Sequence, residues 1–210
     1  MLLDHIDRII YSQSFSLMTM IGRFAFILFA FILAYNYAFN SRNKIAYLKR
    51  LLLFAIISQP FYIYAFGLSK LNIFFTLWLG LGIVWLYEHR TNVINQWLIG
   101  YALILILFFG HYIEYHIMGV LLVISSFTYI KTPSVINLSI MLSIAFLTNN
   151  FFQLNKDTII FSLMGVISYL IIFFIKQLNP PVIPINKWLF YFFYPLHLII
   201  IKYISLLLNY

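Results

Sequence analysis

The chain has 210 residues, of which 64% are hydrophobic and 9% are charged, and its mean hydropathy is +0.97. A soluble domain is about half apolar and about a quarter charged, so this composition excludes a water-soluble globule and indicates that the solvent is lipid. The formal net charge of +8 comes largely from short loops beside apolar segments, which is typical of a membrane protein rather than of one that binds nucleic acid.

Helices are the predicted elements, because segments such as 24–35, 98–109 and 163–175 are apolar on every face and lack the period-two alternation of a membrane barrel. A membrane span needs about 20 mainly apolar residues, and the first span is too short and therefore incomplete. We predict an all-α, polytopic bundle of about nine transmembrane helices in a single domain over residues 1–210. The predicted spans are 1–11, 17–39, 48–66, 71–88, 96–110, 114–130, 135–152, 158–176 and 187–208.

Positive charge is unequally divided between the two sets of loops that these spans create. If the joint at 40–50 is cytoplasmic, the opposite loops receive only Lys70 and Lys156. The cytoplasmic side collects Arg42, Lys44, Lys49, Arg50, Arg90, Lys131, Lys176 and Lys187. Short cytoplasmic loops carry such an excess of cations, so we predict a cytoplasmic N-terminus and a C-terminus on the outer side.

The first two spans carry ionisable residues, which are costly in lipid and mark functional sites by default. Asp4 and Arg8 share a helix face at i and i+4 and are expected to pair. His5 points about 100° away from Asp4, so it is free to act as a base or a nucleophile. Arg23 is expected to pair with Asp4 or Asp7 and to lock two helices together, which does not exclude a role in a site.

Further polar residues fall on the same outer side in this topology. Asn72 opens the fourth span, and His111, Glu114 and His116 occupy the joint between the fifth and sixth spans. The two histidines are interpreted as solvated loop residues; a metal site with Glu114 is the alternative. Neither their spacing nor the cysteine-free sequence favours metal binding, so no metal is expected.

His197 lies about ten residues into the last span, after Tyr194 and Pro195. A proline inside a helix frees a backbone carbonyl for other partners. His197 is then either a neutral histidine hydrogen-bonded to a neighbouring span or a histidine of the site, and the sequence leaves both interpretations open.

Five sequence segments stand in a fixed order over residues 1 to about 200. They are Asp4-His5 with Ile21–Phe26 and Phe29–Phe31, Tyr47–Leu51 with Ile57–Phe61, Leu71–Leu77 with Gly80, Glu114–Gly119, and Phe190–Leu198. In this order and spacing they resemble the TraX family of pilin-acetylating membrane proteins. That family looks distantly similar to membrane acyltransferases that carry acetyl groups from cytoplasmic acetyl-CoA to acceptors across the membrane.

The resemblance implies an acyltransferase of the bacterial inner membrane, with a periplasmic C-terminus, that acetylates the N-terminal amine of a conjugative pilin. Acetyl-CoA is the implied donor. The expected partners are a pilin subunit or another small acceptor and membrane lipids, with no nucleic acid, and the oligomeric state is left open.

Acyl transfer to an amine needs a base or nucleophile and donors aimed at the oxyanion. The candidate base or nucleophile is His5, with Asp4 holding the local electrostatics and His197 as a second base or an orienting partner. Arg23 and Asn72 are candidates for stabilising the oxyanion or positioning the acceptor.

Two further groups of residues complete the expected site. Glu114 and Tyr194 are expected to contact substrate. Arg42, Lys49 and Arg50 are expected to attract the phosphates of coenzyme A, although an ordinary cytoplasmic loop would carry the same cations.

Two other function classes fit the sequence. One is a membrane acyltransferase with a sugar or lipid acceptor, because any small nucleophile satisfies the same chemistry. The other is a transporter or a pilus-assembly scaffold in which Arg23 and His197 only tie helices together. A transporter often shows two related halves or paired broken helices, and neither is evident in this sequence.

Overall fold

The computed structural model describes residues 1–11, 16–67, 70–150, 187–208 and eight positions between 159 and 171. The described part is helical, with a single isolated β-bridge between Leu71 and Ile113, which confirms the all-α prediction there. The π-helical turn Asn36–Asn40 extends the second helix, and Gly110–Tyr112 forms a 3-10 turn. The α-helices are α1 (Leu2–Ile9), α2 (Ser16–Tyr35), α3 (Lys44–Phe66), α4 (Ile73–Glu88), α5 (Val93–Phe109), α6 (His116–Lys131), α7 (Val135–Asn150) and α8 (Lys187–Leu208).

Three helical segments of the described residues are long and apolar enough to cross a bilayer: Leu17–Asn40, Val93–Tyr112 and Trp188–Leu208. Three shorter apolar helices, α4, α6 and α7, accompany them. The fold is therefore that of a helical membrane protein, while the nine predicted crossings are not established. α1 has only eight residues and rises about 12 Å, less than half of a hydrocarbon core of about 30 Å.

One predicted span and two of its flanking cations lie mostly or wholly outside the described residues. The span at 158–176 falls mostly outside the described residues, and Lys156 and Lys176 lie there as well.

Asparagine side chains begin three of the helices. Asn43, Asn72 and Asn92 accept hydrogen bonds from the backbone N–H groups at the starts of α3, α4 and α5. These N–H groups have no partner inside the helix, so a side-chain oxygen at the cap stabilises the first turn. At the other end of α3, Gly67 has a φ of 64°, a left-handed conformation that glycine adopts without strain.

The core is formed where the helices pack in a connected series. α2 contacts α1 and α6, α6 contacts α4 and α7, and α4 contacts α3 and α5. α8 contacts α3 and α1, which places the short α1 between α2 and α8. α5 lies at the periphery, since Ile106 is its one buried residue and most of its apolar surface faces outward, as in a lipid-facing helix.

The tightest helix contact is between α1 and α2. A Cβ atom added to Gly22 of α2 would lie 2.1 Å from the Cβ of Asp4 and 3.0 Å from its Cα. Only a glycine lets the two backbones approach this closely. Asp4 and its neighbour His5 are thereby held against α2.

Replacing Gly22 with alanine is expected to displace α1 and to lower stability by about 1–3 kcal/mol, because an extra methyl group in a filled contact is strongly repulsive. The melting temperature of the purified protein in detergent measures the effect. Gly82 of α4 has no atom within 4 Å of its added Cβ, so Gly82→Ala is the matched control and should be neutral or stabilising. Equal melting temperatures for the two variants would contradict the close contact.

Candidate active site

Helix α1 carries its polar residues into the bundle rather than towards its surroundings. Asp4, His5 and Asp7 are buried, and Asp7 accepts a 2.5 Å hydrogen bond from Thr19 of α2. The part of the bundle around α1, together with the end of α3 and the starts of α4 and α6, is here called the α1 end. The opposite end contains the π-helical turn and the starts of α3 and α8.

The centre of the α1 end is a pair of histidines from α1 and α8. His5 Nδ1 lies 2.7 Å from His197 Nε2, and the two ring planes are parallel within 1°. His197 Nδ1 lies 2.7 Å from the backbone oxygen of Phe193. The histidine pair is 192 residues apart in the chain, and the hydrogen bond confirms the interpretation of His197 as a histidine bonded to a neighbouring helix.

The hydrogen-bond partners define where the protons of the pair lie. A carbonyl oxygen only accepts, so His197 Nδ1 donates to Phe193 and, in a neutral ring, His197 Nε2 accepts. His5 Nδ1 must then donate to His197 Nε2. The remaining nitrogen, His5 Nε2, then carries a lone pair, and the hydrogen bond of the His5 ring between described residues is the one from Nδ1.

A chain of ion pairs surrounds this histidine pair. Asp4 Oδ2 lies 3.9 Å from Arg8 Nη1, and Asp4 Oδ1 lies 3.8 Å from Arg23 Nε. The predicted pairing of Asp4 with Arg8 is thus confirmed, and of the two acids predicted as partners of Arg23 it is Asp4 that forms the ion pair. Arg8 also reaches Glu114, whose Oε1 is 3.4 Å from its Nη1. Asp4 Oδ1 and Arg23 Nε are buried but have no hydrogen-bond partner among the described residues.

Glu114 is held in place from three directions. Tyr62 of α3 donates a 2.6 Å hydrogen bond to Oε1, and Thr76 of α4 donates a 2.7 Å bond to the backbone oxygen. Its backbone N–H donates to Leu71 in the isolated bridge, at 3.1 Å. Glu114 therefore links α1 and α3 through its carboxylate and α4 through its backbone oxygen.

The turn after Glu114 has an uncommon backbone. Tyr115 and His116 have φ values of 60° and 52°, a region that costs non-glycine residues about 1–3 kcal/mol each. The turn stacks the Tyr115 ring on Phe26 at a centroid distance of 3.8 Å and under the guanidinium of Arg23 at 5.4 Å. The strained turn thus supports Arg23, which faces Asp4.

Asn72 and Tyr194, two of the expected substrate contacts, are both buried. Asn72 caps α4, and its side-chain amide donates to the Ala55 carbonyl at 2.8 Å and to Gln59 Oε1 at 3.0 Å. These bonds give Asn72 a structural role that joins α4 to α3. Tyr194 packs edge-on against both histidines, with ring centroids 6.0 Å from His5 and 5.5 Å from His197.

The three expected coenzyme-binding cations are all at the opposite end. Arg42 and Arg50 line a cavity of about 590 Å³. Lys49 is exposed and is not part of the cavity lining. The sequence-predicted residues are therefore divided between two regions, the catalytic candidates at the α1 end and the coenzyme candidates at the other.

A metal site does not form from the remaining histidines within the described part of the chain, where no three potential ligands cluster. His116 Nδ1 lies 3.1 Å from the backbone oxygen of Gly110, to which it donates. His111 is exposed and packs on Tyr112.

Two aromatic residues of the site were not identified from the sequence. Tyr62 binds Glu114, and Phe66 packs against His5 at 5.2 Å and under Arg8 at 4.3 Å. Both precede the turn at Gly67 and share a helix face at i and i+4. That spacing was the one available signal, and many other aromatic pairs in the chain have it.

Comparison with known proteins gives one family. The family model described as TraX protein matches residues 1–205. No curated protein and no solved structure matches the chain.

Removing the Tyr62 hydroxyl is expected to lower the free energy of unfolding by about 1.5–3 kcal/mol, because its hydrogen bond to Glu114 is charge-assisted and partly buried. Steric trapping in bicelles measures this change for Tyr62→Phe. Tyr64 on the same helix is 55% exposed, so Tyr64→Phe is the control and should be unchanged. A similar loss in both variants would show that the hydroxyl bond contributes nothing specific.

Proposed function

The chain belongs to the TraX family, and we propose that it is a membrane-embedded acyltransferase that moves an acetyl group from acetyl-CoA to the N-terminal amine of a conjugative pilin. The observation that carries this proposal is the His5–His197 pair, which leaves His5 Nε2 with a lone pair inside a buried polar site. Histidine is the side chain most often used as a general base.

The reaction requires one proton to be moved and two bonds to be exchanged. The amine nitrogen attacks the thioester carbon, so an N–C bond forms and the C–S bond breaks. His5 Nε2 takes the proton from the amine and returns it to the departing sulfur, which leaves as the thiol of coenzyme A. If His5 is instead the nucleophile, the same nitrogen carries the acetyl group between donor and amine.

His197 acts as the positioning residue for His5. Its Nδ1–H is held by the Phe193 carbonyl at 2.7 Å, so its Nε2 is fixed as an acceptor. That acceptor holds the His5 ring in one tautomer and one orientation, the role an orienting partner has in other base-assisted acyl transfers.

Arg23 and Asp4 are suited to the charges that develop during transfer. Their facing atoms, Nε and Oδ1, are 3.8 Å apart, too far for a hydrogen bond, and both lack a partner among the described residues. Arg23 Nε is available to donate to the oxyanion, and Asp4 Oδ1 to accept from the incoming amine. Arg8 and Arg23 face Asp4 and Glu114, so the charges of these four side chains offset one another.

The rival classes make different demands on the same residues. A scaffold that uses Arg23 and His197 only to tie helices together needs no base at His5 and would transfer no acetyl group to a pilin peptide. An acyltransferase with a sugar or lipid acceptor would use the same histidine pair, so only the acceptor distinguishes it.

The proposed location is the bacterial inner membrane, with the loop before α3 cytoplasmic and the C-terminus periplasmic. The unequal distribution of cations supports it. The predicted cytoplasmic position of Met1 is not part of this proposal, because α1 rises only about 12 Å and cannot cross from the α1 end to the opposite end. In this orientation the α1 end lies on the periplasmic side, where a processed pilin presents its new amine.

Histidine variants test the mechanism directly. Purified protein with acetyl-CoA and a pilin N-terminal peptide should yield a peptide heavier by one acetyl group. His5→Ala should lower the rate by roughly 10²–10⁴-fold, the usual contribution of a general base. His197→Gln keeps an acceptor near the Nε2 position and should retain far more activity than His197→Leu.

The matched control is His89→Ala, since His89 is exposed at the opposite end and should leave the rate unchanged. Full activity in His5→Ala would remove His5 from the mechanism. In cells, an unchanged pilin mass with and without this protein would reject the pilin acceptor while leaving an acyltransferase with another acceptor.

A further inference from the structure

A second polar region lies at the opposite end of the bundle, away from the histidine pair. It is a cavity of about 590 Å³ between the end of α2, the start of α3 and the start of α8. Its volume falls within the range of small-molecule and cofactor sites, about 300–1,000 Å³.

Two arginines place positive charge in this cavity. Arg42 is exposed in the loop before α3, whereas Arg50 is partly buried on α3 itself. Arg50 Nε is buried and has no hydrogen-bond partner among the described residues. Its guanidinium packs over the Tyr47 ring at 5.9 Å. A buried N–H donor without a partner is costly, and an anionic ligand would satisfy it.

Side-chain amides line the wall across from the arginines. The π-helical turn at the end of α2 brings Asn36 and Asn40 onto the cavity, and Asn40 Nδ2 donates to Asn36 Oδ1 at 2.7 Å. That bond leaves the Asn36 amide N–H₂ and the Asn40 oxygen for other partners. π-helical turns often occur at functional sites. The wall thus offers a donor and an acceptor to a ligand that contains amides.

Aromatic rings form the inner limit of the cavity. Phe74 and Tyr191 line it there, and Phe74 also packs against Tyr194 at a centroid distance of 4.8 Å. Tyr194 in turn contacts His5 at 6.0 Å. One aromatic side chain, Tyr194, therefore separates the cavity wall from the catalytic candidate.

We propose that this cavity binds the phosphopantetheine arm of a coenzyme A thioester. Arg42 and Arg50 take the phosphates, Asn36 and Asn40 face the amides of the arm, and the thioester end points towards Phe74. The choice of a coenzyme A thioester rests on the proposed function, whereas the cationic and amide groups of the cavity do not. A phospholipid shares the phosphate and the long tail, but its acyl chains cannot form hydrogen bonds with the two asparagine amides on the cavity wall.

The cysteine-free chain permits a direct binding test. In phosphatidylcholine nanodiscs, Ala46→Cys and, as a second position, Ser41→Cys place one thiol each on the cavity lining. Thr91→Cys places one in the exposed α4–α5 turn at the same end. The rate of labelling by a water-soluble maleimide is measured with and without desulfo-coenzyme A, which has no thiol of its own.

Saturating desulfo-coenzyme A should slow labelling of both cavity cysteines at least roughly ten-fold and leave the Thr91→Cys variant unchanged. Adding Arg50→Gln should raise the concentration needed for protection by roughly ten-fold or more, the usual effect of losing a charge-assisted hydrogen bond. Arg42→Gln should act in the same direction and replaces Arg50→Gln if that variant does not fold.

Three outcomes would overturn the proposal: no protection of either cavity cysteine, equal protection of the Thr91→Cys variant, or protection by phosphatidylglycerol discs that desulfo-coenzyme A does not increase. The last would make the cavity a lipid site. Because binding is measured without turnover, the test separates the two proposals. Protection that persists in a His5→Ala background supports the donor site even if no acetyl transfer is found.

Discussion

The carboxylate of Asp4 has to be neutralised inside the protein, because an unpaired charge taken out of water costs several kcal/mol even after relaxation. Arg8 supplies one counter-charge from the same helix and Arg23 supplies another from α2. Arg8 is then balanced by Glu114 at the start of α6. These contacts hold α1 against its neighbours, and in that position His5 meets His197. The imidazole pair thus depends on charge pairs that take no part in its own hydrogen bonds.

Local rules predicted much of the α1 end from the sequence. The i to i+4 spacing of Asp4 and Arg8 was enough to predict that ion pair, whereas the sequence left Asp4 and Asp7 as alternative partners of Arg23. The helical class followed from composition, since lipid leaves the backbone few alternatives. The number of membrane crossings could not be predicted from composition. A 16-residue apolar helix such as α4 has the same sequence pattern whether it spans the bilayer or packs within the bundle.

Other features depend on contacts that no local pattern encodes. The partner of His197 is 192 residues away, so the sequence left its role open. Asn72 is a polar residue at the start of an apolar helix, which fits a cap and a substrate contact equally well; only its bonds to Ala55 and Gln59 distinguish them. The π-helical turn at Asn36 has no recognisable signature in the chain.

The separation of His5 and His197 along the chain also has a consequence for biogenesis. During translation α1 is made before α8, and the other described helices are made between them. α1 is too short and too polar to be stable in lipid by itself. Its buried residues have their partners only after α2, α6 and α8 have been inserted. The histidine pair is complete only after α8 has been inserted. A ribosome-bound or truncated chain in which α8 has not yet been inserted therefore lacks the pair.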